Sequence, residues 1–202
     1  ERLRATVHGA VRFLDNVIDM NRFPLPLIEQ NTKGNRKIGL GVMGFADLLI
    51  RLGVPYNSEE AVELAQRVMQ FVRDEARNES ERLALERGTF PNWERSVFAL
   101  NGSGRKQRNA TVTTIAPTGT ISMIAGASSG CEPLFAVAFS RHVLDGDELI
   151  EVSPLFEQIA KERGFYTPEL VREIAAKGSL HDVAGVPGDV KRVFVTAHDV
   201  TP

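Results

Sequence analysis

The stretch from Arg108 to Gly130, RNATVTTIAPTGTISMIAGASSG, concentrates residue types that could hold an anion. Its β-branched opening, Ala110 to Ile115, predicts a strand. A tight turn, Pro117-Thr118-Gly119-Thr120, follows, and Ile121 to Ala125 predicts the start of a helix. Such a turn exposes several backbone N–H groups, and a helix N-terminus adds partial positive charge. Thr118, Thr120 and Ser122 add hydroxyls, while Gly119 lets the backbone approach a ligand closely. Together these suit phosphate oxygens without needing a lysine. The pattern alone leaves a second reading open, an ordinary strand-to-helix turn capped by Thr or Ser. The GxxxxGK[ST] spacing of a P-loop is missing, and there is no dinucleotide fingerprint.

Other chemistry-bearing residues are scattered. His8, His142, His181 and His198 show no metal-ligand spacing, so each reads as structural and no metal site is expected. Asp15, Asp19 and Asp47 fall on helical patterns and read as solvated or capping carboxylates, without a pairing that demands acid–base work. Glu132 reads as a capped turn or as support for the anion loop. Asn109 reads as a turn residue, and Arg105 to Arg108 as a solvated basic turn or as local positive potential beside an anion. The single cysteine, Cys131, permits neither an internal disulfide nor a multi-cysteine metal site, and suits a reducing compartment.

Several elements must position the loop. Leu3, Val7, Val11, Leu14 and Ile18 mark one apolar face of a helix. Residues 22 to 37 read as a loop. Three glycines within Gly39 to Gly44 suit close backbone packing ahead of a helix that Gly53 can end. Ser58 predicts the N-cap of a long helix with Val62, Ala65, Val68, Met69 and Val72 inward, stopped by Gly88. Residues 89 to 108 read as an irregular connection, packed down by Phe90 and Trp93. Further strands are expected at Leu134 to Val143 and Val193 to Thr196, and helices at Pro154 to Arg163 and Pro168 to Lys177, the latter capped by Thr167. Mixed helices and strands with long connections indicate an α/β arrangement.

Composition narrows the function classes. A 202-residue chain with 43% hydrophobic and 25% charged residues can bury a core and is not disordered. With a net charge of -2, no global basic excess points to wrapping of a nucleic-acid polymer, while a small anionic ligand stays open. No apolar run reaches the roughly 18 residues of a membrane span. Glu1-Arg2-Leu3-Arg4 has a helical pattern rather than that of a signal peptide, and both ends read as cuts through a longer protein.

The string ATVTTIAPTGTISMIAG resembles the phosphate-binding segment of the ribonucleotide reductase catalytic subunit. TVHGAVRFLDNVIDMNRFPL, NRKIGLGVMGFADLLIRLGVPY, SSGCEPLFAVAFSR and FVTAHDVTP resemble further segments of that family, in the family's order, so the resemblance covers nearly the whole chain. Gly119, the Ile-Ser-Met-Ile-Ala continuation and Thr-Ala-His-Asp are most similar to the adenosylcobalamin-dependent class II. The resemblance implies that Pro117, Thr118, Gly119, Thr120, Ile121 and Ser122 hold the substrate's phosphates, Ile121 through its backbone N–H. It implies reduction of ribonucleoside di- or triphosphates to 2′-deoxyribonucleotides by thiyl-radical chemistry, with adenosylcobalamin as cofactor. A thioredoxin-type reductant, a homodimeric parent and a cytoplasmic setting come with it. The implied fold is a helix-rich part of a ten-stranded α/β barrel, with residues 1–202 a fragment of that one domain. The family's radical cysteine, its Asn and Glu partners and its reducing cysteines have no match here. No catalytic residue is therefore expected in this chain, which alone should be inactive, and Cys131 reads as a packing residue. A stand-alone phosphate- or nucleotide-binding module without redox chemistry is the alternative.

Overall fold

The computed structural model describes residues 1–100, 104–142 and 148–201. The chain divides into two compact units, Glu1–Gly41 with Gln66–Ala116, and Val42–Ala65 with Pro117–Pro202.

In the first unit, α1 (Arg2–Met20) buries Val7, Val11 and Ile18. Leu3, expected inward, is exposed, and Asp15 is fully buried instead. The reason is an ion cluster. Arg36 donates from Nε and Nη2 to Asp15 Oδ1 at 3.0 and 2.8 Å, and pairs with Asp19 through Nη1 at 2.7 Å. Asn109 Nδ2 reaches Asp15 Oδ1 at 2.9 Å, and Arg87 Nη1 reaches Asp15 Oδ2 at 3.1 Å. Burial works against the Arg36 charge, but the hydrogen bonds from its guanidinium to Asp19 and Asp15 outweigh it and raise its pKa. Asp15 is thus no solvated carboxylate and Asn109 no simple turn residue. Arg108 joins them, donating to the carbonyls of Arg87 and Gly88 at 3.1 and 3.3 Å, which makes the basic run partly structural.

The expected loop over residues 22–37 contains a helix, α2 (Pro26–Asn35), with Pro26 in its first turn and a Glu29–Lys33 ion pair at 2.6 Å. Proline suits that position because its missing N–H has no intrahelical partner there. The expected strand 110–115 is reduced to a short parallel pairing. Ile38 and Leu40 N–H donate to Thr111 and Val112 O, and Thr114 N–H donates to Leu40 O. Gly39 permits the approach, since a Cβ there would lie 2.8 Å from Thr114 Cγ2. The connection after α4 (Glu59–Arg87) contains a 3-10 turn, Trp93–Arg95, and a short helix, α5 (Val97–Leu100). Phe90 is buried, and Trp93 Nε1 donates to Arg105 O at 2.9 Å.

The second unit takes the first residues of α4, where Ser58 Oγ accepts Ala61 N–H at 3.2 Å as the predicted cap. Val62 is exposed with Ala61 buried beside it, while Val72 is buried and Ala65, Val68 and Met69 are half-buried on the expected face. Before it lies α3 (Phe45–Leu52), closed by Gly53 in the left-handed conformation. After it come α6 (Gly119–Ala125), β1 (Ala138–His142), β2 (Glu148–Val152), α7 (Pro154–Glu162), α8 (Pro168–Lys177), α9 (Gly188–Val193) and a 3-10 turn, Ala197–Asp199. β1 and β2 form an antiparallel pair with Ala138 opposite Val152. Val143, expected to end a strand, lies outside the described residues. Leu134 and Thr196 form an isolated parallel bridge. Residues 193–196 are therefore not a strand. Val193 ends α9, and the residues after it, Phe194, Val195 and Thr196, are all buried, with Thr196 making the bridge. Thr167 caps α8, accepting Leu170 N–H at 3.1 Å, as predicted. Phe156, fully buried, meets Phe194 edge-on at 5.4 Å between centroids and anchors a core that includes Val137, Ala160, Ile174 and Val183.

Candidate functional site

The loop 117–122 is built as a turn that enters α6. Thr118 takes the left-handed conformation at φ 53, unusual for a β-branched residue. The first intrahelical bond runs from Ser122 N–H to Thr118 O at 2.9 Å. The N–H groups of Gly119, Thr120 and Ile121 precede that bond and have no helical acceptor. Pro117, Gly119, Thr120 and Ile121 are exposed, while Thr118 is half-buried and Ser122 is buried. A Cβ placed on Gly119 would meet nothing within 4 Å, so the space in front of the turn is open.

The six predicted residues therefore divide by role. Gly119, Thr120 and Ile121 are exposed, with N–H groups that lie ahead of the first helical bond, and Thr120 adds a hydroxyl. Thr118 and Ser122 turn their hydroxyls inward. Thr118 Oγ1 accepts Gly130 N–H at 2.8 Å. Ser122 Oγ donates to Gly119 O at 3.0 Å and lies 3.0 Å from Ser129 Oγ. Beside the turn is a cavity of about 500 Å³ whose lining includes Gly119, Ser122, Ser129, Phe135 and Phe139.

The segment 126–130, which the sequence leaves without a role, is the rear wall of this site. Ser128 N–H donates to Asp47 Oδ2 at 2.7 Å, so Asp47 is a capping carboxylate rather than a solvated one. Glu132 is exposed, and its backbone N–H donates to Ser129 O at 3.0 Å, a turn contact. Cys131 packs partly buried beside Phe45 and Leu49, and its carbonyl accepts the Tyr56 hydroxyl at 2.8 Å, consistent with a packing role.

Among the described residues His8 stands apart, while His181 and His198 share the lining of one cavity. His8 Nε2 lies 2.8 Å from Glu75 Oε2, and His198 packs against Phe135 with centroids 5.9 Å apart. The His142 side chain is outside the described residues. Among the described residues no cluster of His, Cys, Asp or Glu could hold a metal ion. A second cavity of about 620 Å³ in the same unit is lined by residues including His181, Lys191, Arg192, His198 and Asp199. Burial disfavours the Asp199 charge, but hydrogen bonds from Ser179 and Thr196 prevail and hold its pKa below the ordinary carboxylate value.

Comparison with known proteins gives one consistent family. The model for "Ribonucleotide reductase, barrel domain" matches residues 1–104 and 99–202. A vitamin B12-dependent ribonucleoside-diphosphate reductase of Thermoplasma acidophilum is 55% identical over 202 residues, covering 100% of this chain and 26% of its own length. A protein of the same name from Mycobacterium tuberculosis is 49% identical over 202 residues, covering 100% of this chain and 29% of its own. The chain thus spans between a quarter and a third of these relatives. The structure of the Actinobacillus ureae class Id ribonucleotide reductase alpha subunit superposes with a TM-score of 0.75 at 22% identity, over 94% of this chain and 34% of that one. The helix-rich α/β fold is therefore that of a part of a reductase subunit. No helix among the described residues is long and apolar enough to cross a membrane.

Proposed function

Because this chain belongs to the ribonucleotide reductase family through its barrel domain, we propose that it positions a ribonucleoside diphosphate for reduction to the 2′-deoxyribonucleotide. The observation that carries this is the turn at 117–122, with three N–H groups ahead of the first helical bond and open space in front of Gly119. Gly119, Thr120 and Ile121 donate to phosphate oxygens, Pro117 shapes the turn, and Thr118 and Ser122 keep it in place. Residues 1–202 form part of one catalytic barrel domain, whose radical and reducing cysteines lie elsewhere in the enzyme. The stand-alone binding module is disfavoured, since relatives match the chain from end to end.

The names of the relatives support adenosylcobalamin as the cofactor of the intact enzyme. The larger cavities described in this chain hold about 500 to 640 Å³, a volume suited to drug-sized ligands. A corrinoid is larger than any one of these cavities, so no single one of them would enclose it. This chain's contribution is substrate placement, which raises rate by holding the ribose in a reactive geometry. A thioredoxin-type reductant, a homodimeric assembly and a cytoplasmic setting belong to the same proposal.

The test is equilibrium titration of a ribonucleoside diphosphate into the intact large subunit carrying this segment. Gly119→Val adds a branched side chain where no protein atom is displaced. It is expected to weaken binding by at least about tenfold, and Thr120→Ala by a few-fold. A folded Gly119→Val protein with unchanged affinity would overturn the assignment.

A further inference from the structure

Ser128 caps α3 from outside the helix. Gly44, at the N-cap position of α3, has no side chain to accept a hydrogen bond from the helix. Ser128 Oγ takes that place and accepts Asp47 N–H at 3.3 Å, Asp47 being the third residue of the helix. In return Asp47 Oδ2 accepts Ser128 N–H at 2.7 Å, and Gly44 N–H donates to Ser128 O at 2.8 Å. A capping box normally joins residues three apart. Here the two partners are 81 positions apart, so the box fastens a distant segment to the helix end. Gly44 is suited to this junction by its φ of 80, which side-chain-bearing residues rarely adopt.

The fastening continues into the loop. Ser129 Oγ lies 3.0 Å from Ser122 Oγ, and Gly130 N–H donates to Thr118 Oγ1 at 2.8 Å. One chain of hydrogen bonds thus leads from Asp47 through residues 128–130 to the two inward-facing hydroxyls of the turn. The bond from Gly130 also holds Thr118 in its left-handed conformation.

We propose that Asp47 is a positioning residue for the substrate's phosphates, acting through Ser128 and Gly130 on Thr118. It rests on the assignment of the loop to phosphate binding made above. Asp47 itself does not touch the phosphate. Its carboxylate fixes the rear wall, which sets where the N–H groups of Gly119, Thr120 and Ile121 point.

The experiment uses the intact large subunit with inorganic pyrophosphate as the binding probe, beside steady-state kinetics. Four variants are compared: Asp47→Ala, Asp47→Asn, Ser128→Ala and Gly119→Val. Asp47→Ala should weaken pyrophosphate binding roughly tenfold, the scale of one charge-assisted hydrogen bond. Its KM for substrate should rise while kcat at saturation holds. Asp47→Asn keeps an oxygen that can accept Ser128 N–H, and should recover most of the affinity. Ser128→Ala, losing only the hydroxyl, should show a few-fold loss. A folded Asp47→Ala protein with wild-type pyrophosphate affinity, while Gly119→Val abolishes binding, overturns the positioning role and leaves the loop assignment standing. Wild-type affinity in Gly119→Val refutes the loop assignment itself. If Asp47→Ala does not fold, unchanged affinity in Ser128→Ala overturns the proposal.

Discussion

Replacing Asp15 with alanine should destabilise the first unit by about 3 kcal/mol, toward the lower end of the range for breaking a buried ion pair. Asp15 is fully buried and accepts from Arg36, Asn109 and Arg87. The substitution strands Arg36, which is 4% exposed, beside a single remaining carboxylate, Asp19. Two compensations keep the loss from the top of the range. Arg36 Nη2 retains the carbonyl of residue 15 at 3.0 Å, and Asn109 Nδ2 retains Arg36 O at 3.1 Å. Asp19 offsets little more, because its side chain is 48% exposed and its attraction is screened by water. With a urea dependence of about 2 kcal/mol per molar, the unfolding midpoint should fall by about 1.5 M. The chain provides its own reporter, since its one tryptophan, Trp93, lies in the first unit, and both tyrosines, Tyr56 and Tyr166, lie in the second. Urea unfolding followed by Trp93 emission, excited beyond tyrosine absorption, reads the affected unit. A midpoint shift under about 0.3 M, near 0.6 kcal/mol on the same slope, would show that the cluster is solvated or replaceable and would refute the reasoning.

Two more outcomes follow from the second unit. Phe156→Ala removes a fully buried ring that meets Phe165 and Phe194, and should cost about 3–5 kcal/mol, read as an earlier tyrosine-reported unfolding transition. The lowered pKa of Asp199 means that its stabilising contribution is complete above the ordinary value of 3.8 and is lost as pH falls through the lower folded value. Acid titration of stability in the wild type and in Asp199→Asn should therefore converge below pH 3.8, and curves that stay parallel through that window would contradict it.

The sequence makes some of this structure legible and hides the rest for physical reasons. α4, α7 and α8 are readable because cap and period agree, as Ser58 and Thr167 show with their bonds to Ala61 and Leu170. α2 hides behind prolines that break helices in their interiors but suit the first turn, where Pro26 sits. α9 hides because β-branched Val190 and Val193 favour strands locally, while the helix takes Gly188–Val193 and leaves the expected strand a bridge at Thr196. The turn at 117–122 is legible as an anion-friendly element. Which of its hydroxyls face outward is not, because that depends on partners at 129 and 130. Asp15 and Asn109 show the same limit: their partners Arg36 and Arg87 are remote in sequence. The bond between Asp47 and Ser128 had one local trace, an acidic residue three positions after Gly44, but the capping hydroxyl comes from elsewhere in the chain.

The most direct test of the central claim is a crystal structure of the intact large subunit with a ribonucleoside diphosphate bound. The expected result places phosphate oxygens within hydrogen-bonding distance of the N–H groups of Gly119, Thr120 and Ile121, with Thr118 still bonded to Gly130. Phosphates seated elsewhere, with the turn at 117–122 facing only solvent or protein, would contradict it.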